Sequence, residues 1–176
     1  MKKIFLTGVS GFVGSALAYA LHKQGYIVRG GVRTKSKSIP HFVEQFSSGS
    51  ISPNTKWEDA LTGVDTVIHL AARVHIMQDT ANDPLTEFRH INSEATLNLA
   101  QQAVKHGVKR FIYLSSIKVN GESTLPGIPF TENDKYIPVD PYALSKYEAE
   151  QNLLQLAKET NMEVVIIRPP WCMVQK

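Results

Sequence analysis

The chain has 176 residues, enough for one domain with a sizeable core, and its 43% hydrophobic and 20% charged residues are ordinary for a soluble globular protein. A formal net charge of +3 with scattered basic residues argues against nucleic acid as the main partner, and no apolar run approaches the roughly 18 residues of a membrane span, so no membrane partner is expected. A single cysteine, Cys172, excludes an internal disulfide framework and makes a reducing cytoplasm the expected location.

Lys3–Thr7 reads as a buried strand running into glycines; Gly8, Ser10 and Gly11 also interrupt any signal-peptide core. Phe12–Gln24 reads as a helix, with Val13, Leu17 and Leu21 on one face and Gly25 at its C-terminal turn. Tyr26–Val32 is the second strand. From Arg33 to Asn54 the chain is polar and broken by Pro40 and Pro53, and one short strand is predicted near Gly49–Ser52. A short helix follows over Trp57–Leu61, then a strand over Thr66–Leu70 and a loop over Ala71–Asn82. A long helix is predicted from Pro84 to His106, with Asp83 as its cap. Arg110–Leu114 is the fifth strand, Tyr142–Thr160 a helix entered through Asp140-Pro141, and Glu163–Arg168 the sixth strand. Alternation of this kind predicts an α/β fold, a doubly wound parallel (Rossmann-like) sheet with helices on both faces and ligands at the carboxyl ends of its strands.

Three groups of residues carry chemistry. Gly8, Gly11 and Gly14 lie between the first strand and the first helix, where glycines permit a tight turn, a close approach of pyrophosphate to backbone, and close helix–strand packing. Such glycines also mark ordinary strand-to-helix turns. Tyr142 and Lys146 share one helix face, so the ammonium is expected to favour the phenolate; an ordinary solvent-facing pair is the alternative. Ser115 and Ser116 end the fifth strand, where serines are also common turn formers. His69 and His75 have no partners at metal-ligand spacing, and no metal is expected.

The run Thr7-Gly8-Val9-Ser10-Gly11-Phe12-Val13-Gly14 resembles the cofactor fingerprint of the extended short-chain dehydrogenases/reductases, the NAD-dependent epimerase/dehydratase family. Ser115-Ser116-Ile117-Lys118-Val119-Asn120-Gly121 is similar to the family's serine segment, and Tyr142-Ala143-Leu144-Ser145-Lys146 to its tyrosine–lysine motif. The resemblance implies that Ser116 orients a substrate oxygen, Tyr142 is the acid/base, and Lys146 binds ribose hydroxyls and tunes the tyrosine. It places Gly8, Gly11, Phe12, Val13 and Gly14 on the dinucleotide, with Leu70, Ala71 and Ala72 after the fourth strand, Leu114, and Pro169 in the Arg168-Pro169-Pro170 segment. Asn92 matches the family's structural asparagine, and Ser50-Ile51 stands where an acid–apolar pair often flanks the adenine.

The cofactor expected is NADP or NAD, with NADP favoured. Chains that prefer NAD carry an acid about 20 residues beyond the glycines, whereas here Arg33, Lys35 and Lys37 follow the second strand, and a guanidinium suits a 2′-phosphate. A solvated basic loop is the alternative. The resemblance implies hydride-transfer chemistry on a nucleotide-linked sugar, by either a 4-epimerase or a 4-keto-sugar reductase, and a possible homodimer through the helices at 84–106 and 142–160. Family members run on as Arg-Pro-x-x-Val-Tyr-Gly-Pro into a smaller substrate domain. Trp171-Cys172-Met173-Val174-Gln175 back-translates to TGG TGT ATG GTC CAG, and one preceding T regroups it to spell Leu-Val-Tyr-Gly-Pro. The expectation is therefore a frameshift at the codon for Trp171, leaving 1–176 as a dinucleotide-binding domain without its substrate domain. Such a chain reads alternatively as a catalytically silent dinucleotide-binding module.

Overall fold

The computed structural model describes residues 2–74, 83–124, 126–134 and 136–170. Part of the predicted 71–82 loop, with His75, and the segment from Trp171 to Lys176 lie outside the described residues. Six strands, β1 (Lys3–Thr7), β2 (Ile27–Val32), β3 (Val43–Ser47), β4 (Thr66–His69), β5 (Arg110–Leu114) and β6 (Glu163–Ile167), form one parallel sheet in the order β3-β2-β1-β4-β5-β6. This is the predicted doubly wound Rossmann-like topology, with its switch point between β1 and β4.

Side-chain alternation along β1 divides the core. Phe5 faces a cluster with Trp57, Val67, Leu99, Phe111, Tyr113 and Leu153, while Ile4 and Leu6 face Val9, Ala18, Val28 and Ile68. The first layer is covered by α2 (Glu58–Leu61), α4 (Ala95–Lys105) and α5 (Pro141–Glu159), and the second by α1 (Phe12–Lys23). On the α1 side Ile112, Leu114 and Val165 are only partly covered and Ile167 is exposed.

Two expectations are corrected. The third strand is Val43–Ser47, not Gly49–Ser52. Val43 and Phe46 supply its apolar contacts, one to each side of the sheet, while Gly49 takes a left-handed φ of +67° and turns the chain. The strand is hidden in the sequence because it is an edge strand whose Glu44 is spent on Lys3 and Arg29. The helix predicted over 84–106 is broken: α3 (Pro84–Phe88) passes through a π-helical segment, Arg89–Glu94, into α4. The predicted Asp83 cap forms, accepting from the Thr86 amide at 3.2 Å, and Asp140, through which α5 is entered, caps it by accepting from the Ala143 amide at 2.8 Å.

Candidate functional site

At the carboxyl edge of the sheet, β1 turns sharply into α1. Gly8 has φ +70°, and a Cβ there would meet the Ala71 amide nitrogen at 3.0 Å, so the turn and its packing on the β4 exit both need glycine. A Cβ on Gly14 would come within 2.1 Å of the Gly8 carbonyl oxygen. Gly14 is thus a packing residue, buried under the turn, whereas Gly11 is exposed and caps α1 without any side-chain hydrogen bond. No acid lies in the first turn of α1, so its amides present an unopposed positive end to an anion.

This turn forms one wall of a cleft of about 480 Å³ at the switch point. Gly8, Gly11, Arg33, Ser50, Ile51, Leu70, Ala71 and Ala72, all expected on sequence grounds, line it. The cleft thus gathers the basic end of β2, the glycine turn after β1 and the β4 exit into one elongated site, and a dinucleotide fits this donor set: a glycine-lined anion seat between a guanidinium after β2 and the backbone of the β4 exit. Phe12 and Val13 stand exposed at the start of α1, and neither they nor Gly14, Asn92, Leu114, Tyr142, Lys146 or Pro169 line this cleft. Sequence reasoning did not assign Ser10, Gly31, Val32, Ser48, Gly49, Arg73 and Ile91, which do. Gly49 carried the one available signal, a glycine inside a Ser-rich turn.

A buried hydroxyl–imidazole chain fixes the β4 side. Thr7 Oγ1 accepts from the amides of Leu70 (3.2 Å) and Ala71 (3.1 Å) and lies 2.7 Å from His69 Nδ1. His69 Nε2 lies 3.0 Å from Thr96 Oγ1, whose proton is already given to the Asn92 carbonyl at 2.8 Å. The tautomer follows: Nε2 carries the proton and donates to Thr96, and Nδ1 accepts from Thr7. Burial, then the Lys146 charge, pushes the imidazole down to about 3, so His69 is a neutral structural residue, as expected. No cluster of metal-ligating side chains occurs among the described residues.

Asn92 sits in the π-helical segment, where the widened turn brings its side chain across to two neighbours. Its Oδ1 accepts from the Arg73 amide (2.8 Å), and its Nδ2 donates to the Arg73 carbonyl (3.0 Å) and to Ser145 Oγ (3.0 Å). It joins the cleft wall to α5 and does not face the cleft itself.

Ser116, Tyr142 and Lys146 come together beside the ends of β5 and β6. Ser116 caps a 3₁₀ turn over Ile117–Val119, accepting from the Lys118 amide at 3.3 Å. Tyr142, half-buried at the start of α5, has its phenol pushed up by burial, an effect opposed by a hydrogen bond with Ser116 and reinforced by Asp140. Lys146 is 2% exposed; its Nζ donates to the Leu114 carbonyl at 2.7 Å and lies 4.3 Å from the Tyr113 ring centroid. Burial pulls it down to about 7, against the push of Glu150. Burial, not the ammonium, leads the shift of Tyr142 here, and the Lys146 ammonium is engaged by the Leu114 carbonyl.

Residues 4–172 match the NAD dependent epimerase/dehydratase family. The chain is 49% identical over 169 residues to a UDP-glucose 4-epimerase of Vibrio cholerae, covering 96% of this chain and 51% of that protein. A short-chain dehydrogenase/reductase superfamily protein from Agrobacterium tumefaciens, solved with bound NAD, has a TM-score of 0.80 at 32% identity over 94% of this chain and 48% of that one. UDP-glucuronic acid 4-epimerase from Bacillus cereus, in complex with NAD, has a TM-score of 0.79 at 26% identity, covering 96% of this chain and 56% of that one. This chain spans about half the length of the curated relatives it matches. No described helix is long and apolar enough to cross a membrane.

Proposed function

The chain belongs to the NAD dependent epimerase/dehydratase family, and on that premise we propose that residues 1–176 form a dinucleotide-binding domain for hydride transfer at a carbinol or keto carbon of a nucleotide-linked sugar. The observation that carries this reading is the grouping of Ser116, Tyr142 and Lys146 at the edge of the sheet that also bears the glycine-walled cleft. In that reading the α1 amides and Gly11 seat the pyrophosphate, and Lys146 holds ribose hydroxyls. The dinucleotide, when bound, supplies the site that accepts and returns hydride. Ser116 directs its hydroxyl to the sugar oxygen. Tyr142, which burial keeps protonated at neutral pH, gives its proton to that oxygen in reduction and takes it back in oxidation, the direction that needs the Ser116 bond and the Lys146 charge.

The cofactor favoured is NADP. Arg33 is exposed at the β2 side of the cleft, which Ser48, Gly49 and Ser50 also line, and no acid among the described residues lines it. A planar guanidinium meets a 2′-phosphate with two parallel hydrogen bonds. The substrate favoured is a UDP-linked sugar, supported by the likeness to the Vibrio cholerae epimerase. Pairing of two copies across the outer faces of α4 and α5 belongs to the same proposal, supported by the part-exposed Leu154. The single cysteine supports action in the cytoplasm.

A dinucleotide-binding module without turnover is the second reading. It is favoured by the part-covered α1-side face of β5 and β6, where no described element stands to hold a sugar. One experiment separates them. NADPH and NADH are titrated by nicotinamide fluorescence, and UDP-glucose turnover is then assayed. Tighter binding of NADPH is expected, with Arg33→Ala weakening NADPH about 10-fold or more and leaving NADH unchanged. Binding without turnover favours the silent module, equal loss of both cofactors in Arg33→Ala removes the NADP assignment, and no binding of either defeats both readings.

A further inference from the structure

Behind the proposed reacting groups, a line of alternating charge leads from Lys146 toward the surface. Glu150 lies one turn beyond Lys146 on the same buried face of α5 and is fully buried. Its carboxylate is gripped from both sides by Arg168, whose Nε donates to Oε1 at 3.0 Å and to Oε2 at 3.2 Å while Nη2 reaches Oε2. Arg168, just past β6, uses its remaining arm to donate from Nη1 to Asn120 Oδ1 at 3.1 Å. Asn120 Nδ2 donates in turn to the Thr131 carbonyl (2.6 Å) and Asp134 Oδ2 (3.1 Å). Asp134 is held in place by the Thr131 amide at 3.0 Å and hydroxyl at 2.6 Å. The order is cation, anion, cation, anion: Lys146, Glu150, Arg168, Asp134. It links the helix that carries Lys146 and Tyr142 to the turn at 131–134, which lies in sequence between Ser116 and that helix.

A buried ion pair is weak support for stability as such, because apolar residues of similar shape often serve as well. Its distinctive contribution is a charge held at a fixed place. The other groups around Lys146 add no negative charge at neutral pH: Tyr113 from β5 is raised well above its usual range by burial, Tyr142 from α5 is raised as well, and His69 from β4 is neutral. Glu150 is the one carboxylate that acts on Lys146 among the described residues, and it pushes the ammonium up while burial pulls it down.

We propose that Glu150 is a positioning residue for Lys146, and that Arg168 and Asn120 extend its hold to the 131–134 turn, so that docking of this turn is felt at the ammonium. The assignment deepens the role given to Lys146 above and concerns a group with no contact to sugar or dinucleotide. Asn120 makes the coupling directional: its amide is fully used, with one acceptor on Arg168 and its donors on Thr131 and Asp134.

The test reads the ammonium itself, so it stands or fails separately from any turnover. The full chain is labelled with ¹³C-lysine, the Lys146 Hε–Cε signal is assigned by its loss in Lys146→Met, and its midpoint is followed from mildly acid to alkaline pH. In Glu150→Gln the midpoint falls by about one pH unit or more. Glu150→Asp, which keeps the charge, restores most of the shift. Because Glu150→Gln strands the Arg168 charge, the paired change Glu150→Gln with Arg168→Met removes both, and the midpoint still falls, since Glu150 acts on Lys146 more strongly than Arg168 does. Asn120→Ala lowers the midpoint by a smaller step in the same direction. An unmoved midpoint in the single and paired Glu150 variants overturns the positioning role; an unmoved midpoint in Asn120→Ala overturns the link to the 131–134 turn.

Discussion

The glycines of the β1–α1 turn divide their work between folding and binding, and alanine substitution separates the two. At Gly14 an added Cβ would sit 2.1 Å from the Gly8 carbonyl oxygen, 2.8 Å from its carbonyl carbon and 2.9 Å from Val9 Cα, all backbone atoms that no rotamer change can move. Relief requires the start of α1 to shift by on the order of 1 Å, and overpacking of this kind costs about 1–3 kcal/mol. Better helix propensity returns at most ~1 kcal/mol. Contacts this short with backbone put the cost at the upper end of that range, so a net loss of about 2 kcal/mol is expected, or a fall in Tm of about 4–8 °C at this chain length. Gly11 differs: its φ of −80° and ψ of 172° suit any residue, and its Cβ would meet only the Gly8 oxygen at 3.2 Å. A stiffer unfolded chain offsets the poorer cap, so Gly11→Ala should stay within ~0.5 kcal/mol of the parent. Its methyl would stand in the cleft, and nicotinamide dinucleotide binding should weaken about 10-fold or more. Urea unfolding and fluorescence titration of both variants make the check. The reasoning is refuted if Gly14→Ala is as stable as the parent, or if Gly11→Ala loses more stability than Gly14→Ala or binds like the parent.

Two further outcomes follow from the Thr7–His69 chain. Thr7→Val keeps the shape but leaves His69 Nδ1 and the Leu70 and Ala71 amides without their partner, so urea unfolding should record a loss of about 2–4 kcal/mol, with Thr7→Ser much closer to the parent; a Thr7→Val chain of parental stability would exclude the network as a fixture of the cleft wall. His69 has a folded pKa of about 3 against 6.5 for the free side chain, so between those values the unfolded chain binds the extra proton and stability rises with pH. Lowering the pH from 7 to 5 should therefore cost the parent about 2 kcal/mol more than His69→Gln, read from urea midpoints, and parallel pH profiles would show that His69 is not held neutral.

The architecture was legible because buried parallel strands advertise themselves. Ile4-Phe5-Leu6, Val67-Ile68 and Phe111-Ile112 are apolar on both faces, as β1, β4 and β5 require at the centre of the sheet. The edge strand β3 was not legible, since its Glu44 and Gln45 are half-solvated and its stabilising partners, Lys3 and Arg29 on Glu44, are distant in sequence. The π-helical segment was invisible for a related reason. Its widened turn is bound up with the Arg89–Glu148 pair and with Asn92 reaching Arg73 and Ser145, contacts between residues that helical periodicity does not relate. Spacing and resemblance gave the candidate site residues, Gly8 to Lys146, but not their division of labour. That Gly14 packs while Gly11 faces the cleft depends on where the Gly8 carbonyl points.

The electrostatics of Tyr142 and Lys146 bear on how the site is built. A cation one helical turn away lowers a phenol's pKa only if its field exceeds the desolvation both groups suffer. Here burial dominates each: it raises Tyr142 and lowers Lys146, in opposite directions from one cause, because each is pushed toward its neutral form. The ammonium donates to the Leu114 carbonyl at 2.7 Å. Tuning the phenol toward neutrality thus needs more than the YxxxK spacing. It needs a carboxylate that keeps the lysine charged despite burial, and Glu150 occupies that place, clamped by Arg168. The motif names the proposed reacting pair, while the carboxylate that opposes burial at Lys146 lies one helical turn further along α5, held from just past the end of β6.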